Sequence, residues 1–145
     1  MTTQELRELD AWIAEHVMGF KWGHFGFIKN GLPDFEREPI YLLPPSRFDV
    51  HSGNANPFPR DRVDDWKTRG SDSLIPKYTT DPAAAMSVLE KCAEKSDGAV
   101  EVVKAIKGKW GLCDGSTTKR GFQWADTLPI AICLFARELF KEGTK

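Results

Sequence analysis

The sequence has few of the residues that staple small secreted proteins or bind zinc. It contains three cysteines in 145 residues, an odd number with no CxxC spacing, so neither a disulfide framework nor a zinc set is expected. Cys92 and Cys133 fall on apolar helical stripes, and Cys113 falls in an expected strand. The spacing therefore predicts three reduced, buried thiols and no metal site.

The sequence also lacks long apolar runs and an excess of charge of either sign. No run reaches the length of a membrane span, and the first residues lack the basic-then-apolar pattern of a signal peptide. The formal net charge of −1 at pH 7 provides no electrostatic footprint for bulk nucleic acid or an anionic membrane. We therefore expect a soluble, cytoplasmic protein with no membrane or nucleic-acid partner, folded as a single domain over residues 1–145.

Motifs for catalysis are missing as well. His24 and His51 have aspartates nearby, but no HxH, HExxH or paired cysteine spacing supports a metal site. Ser46 and Ser52 lie near His51 and Asp49, yet there is no nucleophile elbow, and residues adjacent in a chain rarely form a catalytic triad. The sequence therefore predicts no catalytic residue and no cofactor.

What the chain does contain is a clear strand pattern in its last third. Val100, Val102 and Ile106 have the even spacing of a half-buried strand. Asp114-Gly115 is a pair typical of hairpin turns. The expected strands are residues 100–106, 109–113 and 118–124.

Three helices are expected beside these strands. Thr2 or Thr3 can cap the first and Gly19 follows it, while Thr80 or Asp81 can cap the second. The third is apolar around most of its circumference and must therefore be buried. The helices are expected over residues 2–18, from a cap at Thr80 or Asp81 to an end within residues 95–98, and over residues 127–140. This pattern predicts an α+β fold, a small antiparallel sheet with helices packed on it in a sandwich-like arrangement.

The stretch from Gly23 to Pro76 has a different composition. It holds seven of the nine prolines together with many aromatic and aliphatic residues. A structureless loop of this length is uncommon inside a compact domain, and this one is too apolar for a solvated tail. We therefore expect residues 23–75 to form an ordered proline- and aromatic-rich insertion, with a short strand over residues 40–43 and a helical turn within residues 60–67.

Three segments of the chain are similar to those of a known family. They are the opening helix Leu9–Gly19, the proline-to-aspartate segment Pro76–Asp81 and the start of the closing helix, Asp126–Cys133. In this order they resemble the phage ABA-sandwich domain family, whose members are small and mostly phage-encoded. The resemblance implies a small sheet with helices packed on it and, for a phage product, the host cytoplasm. It implies no catalytic motif, and the insertion is a departure from the short family members.

The insertion concentrates side chains that could recognise a ligand. Arginines offer bidentate forks to phosphate or carboxylate, and aromatic faces stack on bases. Aspartates interleaved with these arginines allow a second interpretation, in which the charges form solvated ion pairs. The candidate ligand-binding residues are Trp22, His24, Arg47, His51, Arg60, Arg62 and Trp66.

The sequence supports one hypothesis for function and two alternatives. The first is a non-catalytic phage-type protein that binds a small anionic, nucleotide-like ligand and thereby sequesters a host defence signal. An alternative is a protein-interaction module, whose insertion binds a host protein or another copy of itself to form a homo-oligomer. A nucleotide hydrolase is the other alternative.

Overall fold

In a computed structural model, the described part of the chain folds into three helices and short antiparallel strands. The structure describes residues 1–24, 28–29, 32–33, 40–49, 53, 55–63, 75–96, 100–105, 107–114 and 124–142. The elements in chain order are α1 Thr3–His16, β1 Lys21–His24, β2 Ile28–Lys29, β3 Leu32–Pro33, β4 Tyr41–Leu43, β5 Asn56–Pro57, α2 Pro82–Lys95, β6 Val100–Lys104, β7 Trp110–Asp114 and α3 Leu128–Glu142. This content confirms the α+β class.

The chain divides into two compact units. The first unit comprises Met1–Met18 and Pro76–Lys145, and the second comprises Gly19–Ile75. The first contains the three helices with β6 and β7, and the second contains β1 to β5. A single domain with an insertion over residues 23–75 stays a prediction.

Local capping sets where the first two helices begin. The Glu5 N–H donates to the hydroxyl oxygen of Thr2 at 3.1 Å, so Thr2 rather than Thr3 caps α1. Beyond α1, Gly19 has φ of +78°, a conformation that glycine adopts without strain. The Ala83 N–H donates to the Asp81 carboxylate at 3.0 Å, which makes Asp81 the cap of α2.

The core of the first unit is formed where α3 meets α1, α2 and β7. The apolar helix predicted over residues 127–140 is confirmed, and its centre is buried as its composition requires. The buried core side chains of this unit include Leu9, Ile13, Val17, Ala85, Val88, Cys92, Leu112, Ala131, Ile132, Cys133, Phe135, Ala136 and Leu139.

Strands β6 and β7 form an antiparallel hairpin, beyond which the Ala105 N–H donates to the Lys109 carbonyl at 2.7 Å. Its register runs from Val100 opposite Asp114 to Lys104 opposite Trp110. The Gly108 N–H donates to the Ala105 carbonyl at 2.9 Å, and Gly108 has φ of +79°. A hairpin turn at Asp114-Gly115 and a third strand over residues 118–124 lie outside the described residues, apart from Asp114 at the end of β7 and exposed Trp124.

One expectation for β6 is wrong. Val102 was expected on a buried face, but its side chain is 42% exposed. It stands opposite Leu112, which is 3% exposed, so both point to the same side of the sheet. Because α3 packs on β7, its apolar side chains bury Leu112. Val102 lies on β6, which within the described residues pairs with β7 alone.

In the second unit, β1 lies between β4 and β5 and pairs antiparallel with both. The predicted strand over residues 40–43 is present as β4, and residues 60–62 form a 3₁₀ turn within the predicted helical stretch. A second small cluster of buried apolar side chains supports this sheet; it consists of Ile40, Phe58 and Val63, with Trp22 packed against it.

Gly23 on β1 is a position where only glycine fits. A Cβ built there would lie 2.6 Å from the Phe48 ring and 2.9 Å from the Asn56 carbonyl oxygen. We expect Gly23→Ala to lower the free energy of unfolding by about 1–2 kcal/mol, because overpacking forces the ring and the strand apart. Urea denaturation measures this. Phe48→Leu in the same chain should recover part of the loss, and full stability of Gly23→Ala alone would contradict the packing.

Candidate functional sites

Strand β1 positions two of the seven predicted ligand-binding residues. Trp22 and His24 are two positions apart and therefore lie on the same face of the strand. Trp22 is half-buried against the apolar cluster, and the Phe58 N–H donates to its carbonyl at 2.9 Å. His24 is only 3% exposed, with its Nε2 buried. This face of β1 thus carries two aromatic rings, one half-buried and one buried.

Arg47 lies on a 3₁₀ turn, Pro45–Phe48. Two backbone hydrogen bonds from the residues that follow hold this segment. The Ala55 N–H donates to the Arg47 carbonyl at 2.9 Å, and the Gly53 N–H donates to the Asp49 carbonyl at 2.7 Å. A Cβ on Gly53 would lie 2.3 Å from the Arg47 carbonyl oxygen, so glycine permits this close approach. The half-buried Arg47 side chain therefore projects from a backbone with little freedom to move.

The other predicted residues are less closely defined. Arg60 begins the second 3₁₀ turn, Arg60–Arg62, and is exposed. Arg62 belongs to the same turn, and the structure describes its backbone only. His51 and Trp66 lie outside the described residues. The structure thus gives Trp22 and His24 a shared face and places the arginines on two separate turns.

No metal site is seen in the part of the chain that the structure describes. There, no three His, Cys, Asp or Glu side chains come together as a group that could hold an ion. Within the same residues, no helix is long and apolar enough to cross a membrane.

A buried polar junction in the first unit was not foreseen from the sequence. It consists of Asp10 on α1, the Tyr78-Thr79 turn before α2, and Cys133 on α3. Asp10 is 7% exposed, and the Thr79 backbone N–H donates to its Oδ1 at 2.8 Å. This bond joins residues 69 positions apart. The junction therefore connects the three segments on which the family resemblance rests.

The electrostatics of the junction favour neutral side chains. Burial raises the pKa of the Asp10 carboxyl, and the Thr79 N–H only partly offsets that rise. Burial, together with the nearby Asp10, raises the pKa of Tyr78 to about 12 and also raises that of the Cys133 thiol. A nucleophilic cysteine needs a lowered pKa. The junction is therefore suited to holding the helices together and unsuited to nucleophilic chemistry.

The other cysteines match their prediction in part. Cys92 is buried on α2, and burial raises its pKa to about 12. Cys113 on β7 is only half-buried, with its Sγ 3.7 Å from Glu101 Oε2 on β6. All three thiols are free. The expectation of burial is therefore wrong for Cys113, because β7 is covered on only one of its two faces.

A groove of about 500 Å³ runs between α1 and α3. Glu5, Glu8, Leu9 and Trp12 line it from α1, and Leu134 and Arg137 line it from α3, with Met1 at one end. The four α1 residues have the i, i+3, i+4, i+7 spacing of one helical face, which is a signal in the sequence. Leu9 is buried, whereas Trp12, Leu134 and Arg137 are half-buried.

Comparison with known proteins gives a single finding. A family model described as the Phage ABA sandwich domain matches residues 11–136, which is most of the chain and includes the segment 23–75. No curated protein and no solved structure matches the chain.

Proposed function

The chain belongs to the phage ABA sandwich domain family, and from that premise we propose that its second unit binds a small anionic, nucleotide-like ligand. The observation that carries the proposal is the shared face of Trp22 and His24 on β1, the central strand of a three-stranded sheet. The half-buried indole of Trp22 offers a stacking surface for a planar ring. The His24 ring lies two positions further along the same face and is 3% exposed.

Arg47 supplies the charge that the ligand requires. A guanidinium makes two parallel hydrogen bonds to a phosphate or carboxylate, and it binds best when little freedom is lost on binding. The hydrogen bonds from Ala55 and Gly53 restrict the backbone around Arg47 before any ligand arrives. Arg60 is exposed at the start of its turn and contributes longer-range attraction.

The proposed role is binding without turnover. The pKa values of Cys92 and Cys133 are raised by burial, so neither is poised as a nucleophile. A phage protein that holds a nucleotide-like molecule without converting it would withdraw a host defence signal from its receptor. That last step rests on analogy with what small phage proteins do and not on a residue.

Thermal-shift screening against nucleotides and cyclic nucleotides tests the proposal. A ligand at about one hundred times its Kd stabilises the native state by roughly 2.7 kcal/mol, which raises the melting temperature measurably. Calorimetric titration of the best ligand then compares Arg47→Lys with wild type. We expect at least about a tenfold weaker affinity, about 1.4 kcal/mol, because an ammonium cannot reproduce the bidentate contact.

Arg7→Lys is the matched control, because Arg7 is an exposed arginine of the first unit, on α1. It should leave the affinity unchanged, and both variants should keep the melting temperature of the free protein. A panel without any stabilising nucleotide overturns the proposal and favours the protein-interaction alternative. Equal affinity of wild type and Arg47→Lys removes Arg47 from the site.

A further inference from the structure

The groove between α1 and α3 has the size and lining of a small-molecule site. Its volume of about 500 Å³ falls in the range of pockets that hold small ligands. Leu9, Trp12 and Leu134 give it an apolar wall, while its three charged side chains lie on opposite helices, Glu5 and Glu8 on α1 and Arg137 on α3. All its lining residues belong to the first unit, whereas the residues of the ligand site proposed above belong to the second.

The positive side of the groove is an arginine available for binding. Arg137 is half-buried and, among the described residues, has no hydrogen-bond or ion-pair partner. A partly desolvated guanidinium attracts a carboxylate more strongly than one in bulk water. Trp12 and Leu134 lie in the same lining, so an anion held by Arg137 has apolar surface beside it.

The negative side is formed by Glu5 and Glu8 on α1. Glu5 Oε1 accepts from the Thr2 hydroxyl at 3.2 Å, and Glu8 Oε1 accepts from the Gln4 amide at 3.0 Å. These local bonds restrict each carboxylate to the helix surface beside the groove. Among the side chains of the lining, Arg137 is positive and Glu5 and Glu8 are negative.

We infer that this groove binds a free α-amino acid with a large apolar side chain. The ligand's carboxylate meets Arg137, its ammonium meets Glu5 and Glu8, and its side chain packs on the apolar wall. A ligand with only a negative charge would face two carboxylates without compensation. A ligand with only a positive charge would leave Arg137 without a counter-ion. Of these three charge types, a zwitterion alone provides a partner for both sides of the lining.

A matched series of ligands tests this on the intact wild-type protein. Titration by NMR compares L-leucine with 3-methylbutylamine, which lacks the carboxylate, and 4-methylpentanoic acid, which lacks the ammonium. We expect L-leucine to bind with a Kd on the order of 1 mM and each analogue to bind at least about fivefold more weakly. An analogue that binds as tightly as L-leucine, or no binding of L-leucine at about 10 mM, overturns the inference.

Two variants locate the site. Arg137→Leu should weaken L-leucine binding about tenfold or more, whereas Arg7→Leu, which removes an exposed arginine of α1 outside the groove, should change it less than about twofold. Glu8→Gln should weaken binding of L-leucine and leave that of 4-methylpentanoic acid unweakened. Equal binding by Arg137→Leu and wild type would overturn the assignment.

Discussion

Asp10→Ala should destabilise the first unit by about 2–3 kcal/mol. The substitution removes the acceptor of the Thr79 N–H and leaves that donor buried without a partner. It also removes the contact that joins α1 to the turn before α2. Chemical denaturation followed by circular dichroism measures the loss.

Asp10→Asn is the matched control, since its amide oxygen can still accept from Thr79 without a buried charge. We expect this variant to be at least as stable as wild type at neutral pH. Folding raises the pKa of Asp10. At pH values between the ordinary carboxyl pKa and this raised pKa, the folded protein therefore binds more protons at Asp10 than the unfolded chain does. The contribution of Asp10 to the free energy of unfolding therefore falls as pH rises from the ordinary carboxyl pKa to the raised pKa of Asp10, and it is constant at higher pH.

Asp10→Asn should lack this part of the pH dependence. A wild-type stability that rises through the same window relative to Asp10→Asn would show that the carboxylate is the favoured form. An Asn variant as unstable as the Ala variant would show that the Thr79 bond needs the charge.

Removal of residues 20–75, with Gly19 joined to Pro76 by a short Gly-Ser linker, should leave a folded first unit. The unit has its own buried core on α1, α2, α3 and β7, and Gly19 retains the end of α1. We expect a helical circular dichroism spectrum and one cooperative unfolding transition. The shortened chain should lose any nucleotide-like ligand entirely and keep L-leucine binding.

Asp10→Ala serves as the internal control for that experiment. In the shortened chain it should cost the same free energy as in the full chain, because the Thr79 bond lies inside the first unit. A shortened chain without a cooperative transition would show that residues 20–75 belong to one shared core.

Much of the first unit could be predicted from the sequence because its signals are local. Caps at Thr2 and Asp81, and the apolar composition of α3, depend on neighbours within a few positions. The Asp10–Thr79 bond has no such signal, because its partners are far apart in the chain. Burial of Val102 was misjudged for a related reason, since alternation identifies a face of a strand but not which strand α3 covers.

The candidate sites show the same division. Residue chemistry suggested Trp22 and His24, and the i, i+2 spacing that places them together is local. The groove could not be predicted from the sequence, because Arg137 becomes part of it only when α3 packs beside α1.

Among the described residues, β6 is an edge strand, because it pairs with β7 alone. This position affects how readily the protein aggregates. Trp110 uses both its N–H and its C=O to bond Ala125, so Lys104 opposite it belongs to a pair that is not hydrogen-bonded. By alternation, the amides of Val100, Val102 and Lys104 point outward and could template strand addition by another chain. The Lys104 ammonium lies 5.0 Å from the centre of the Trp110 ring. A charged residue on such a strand is of the kind that hinders pairing with another chain.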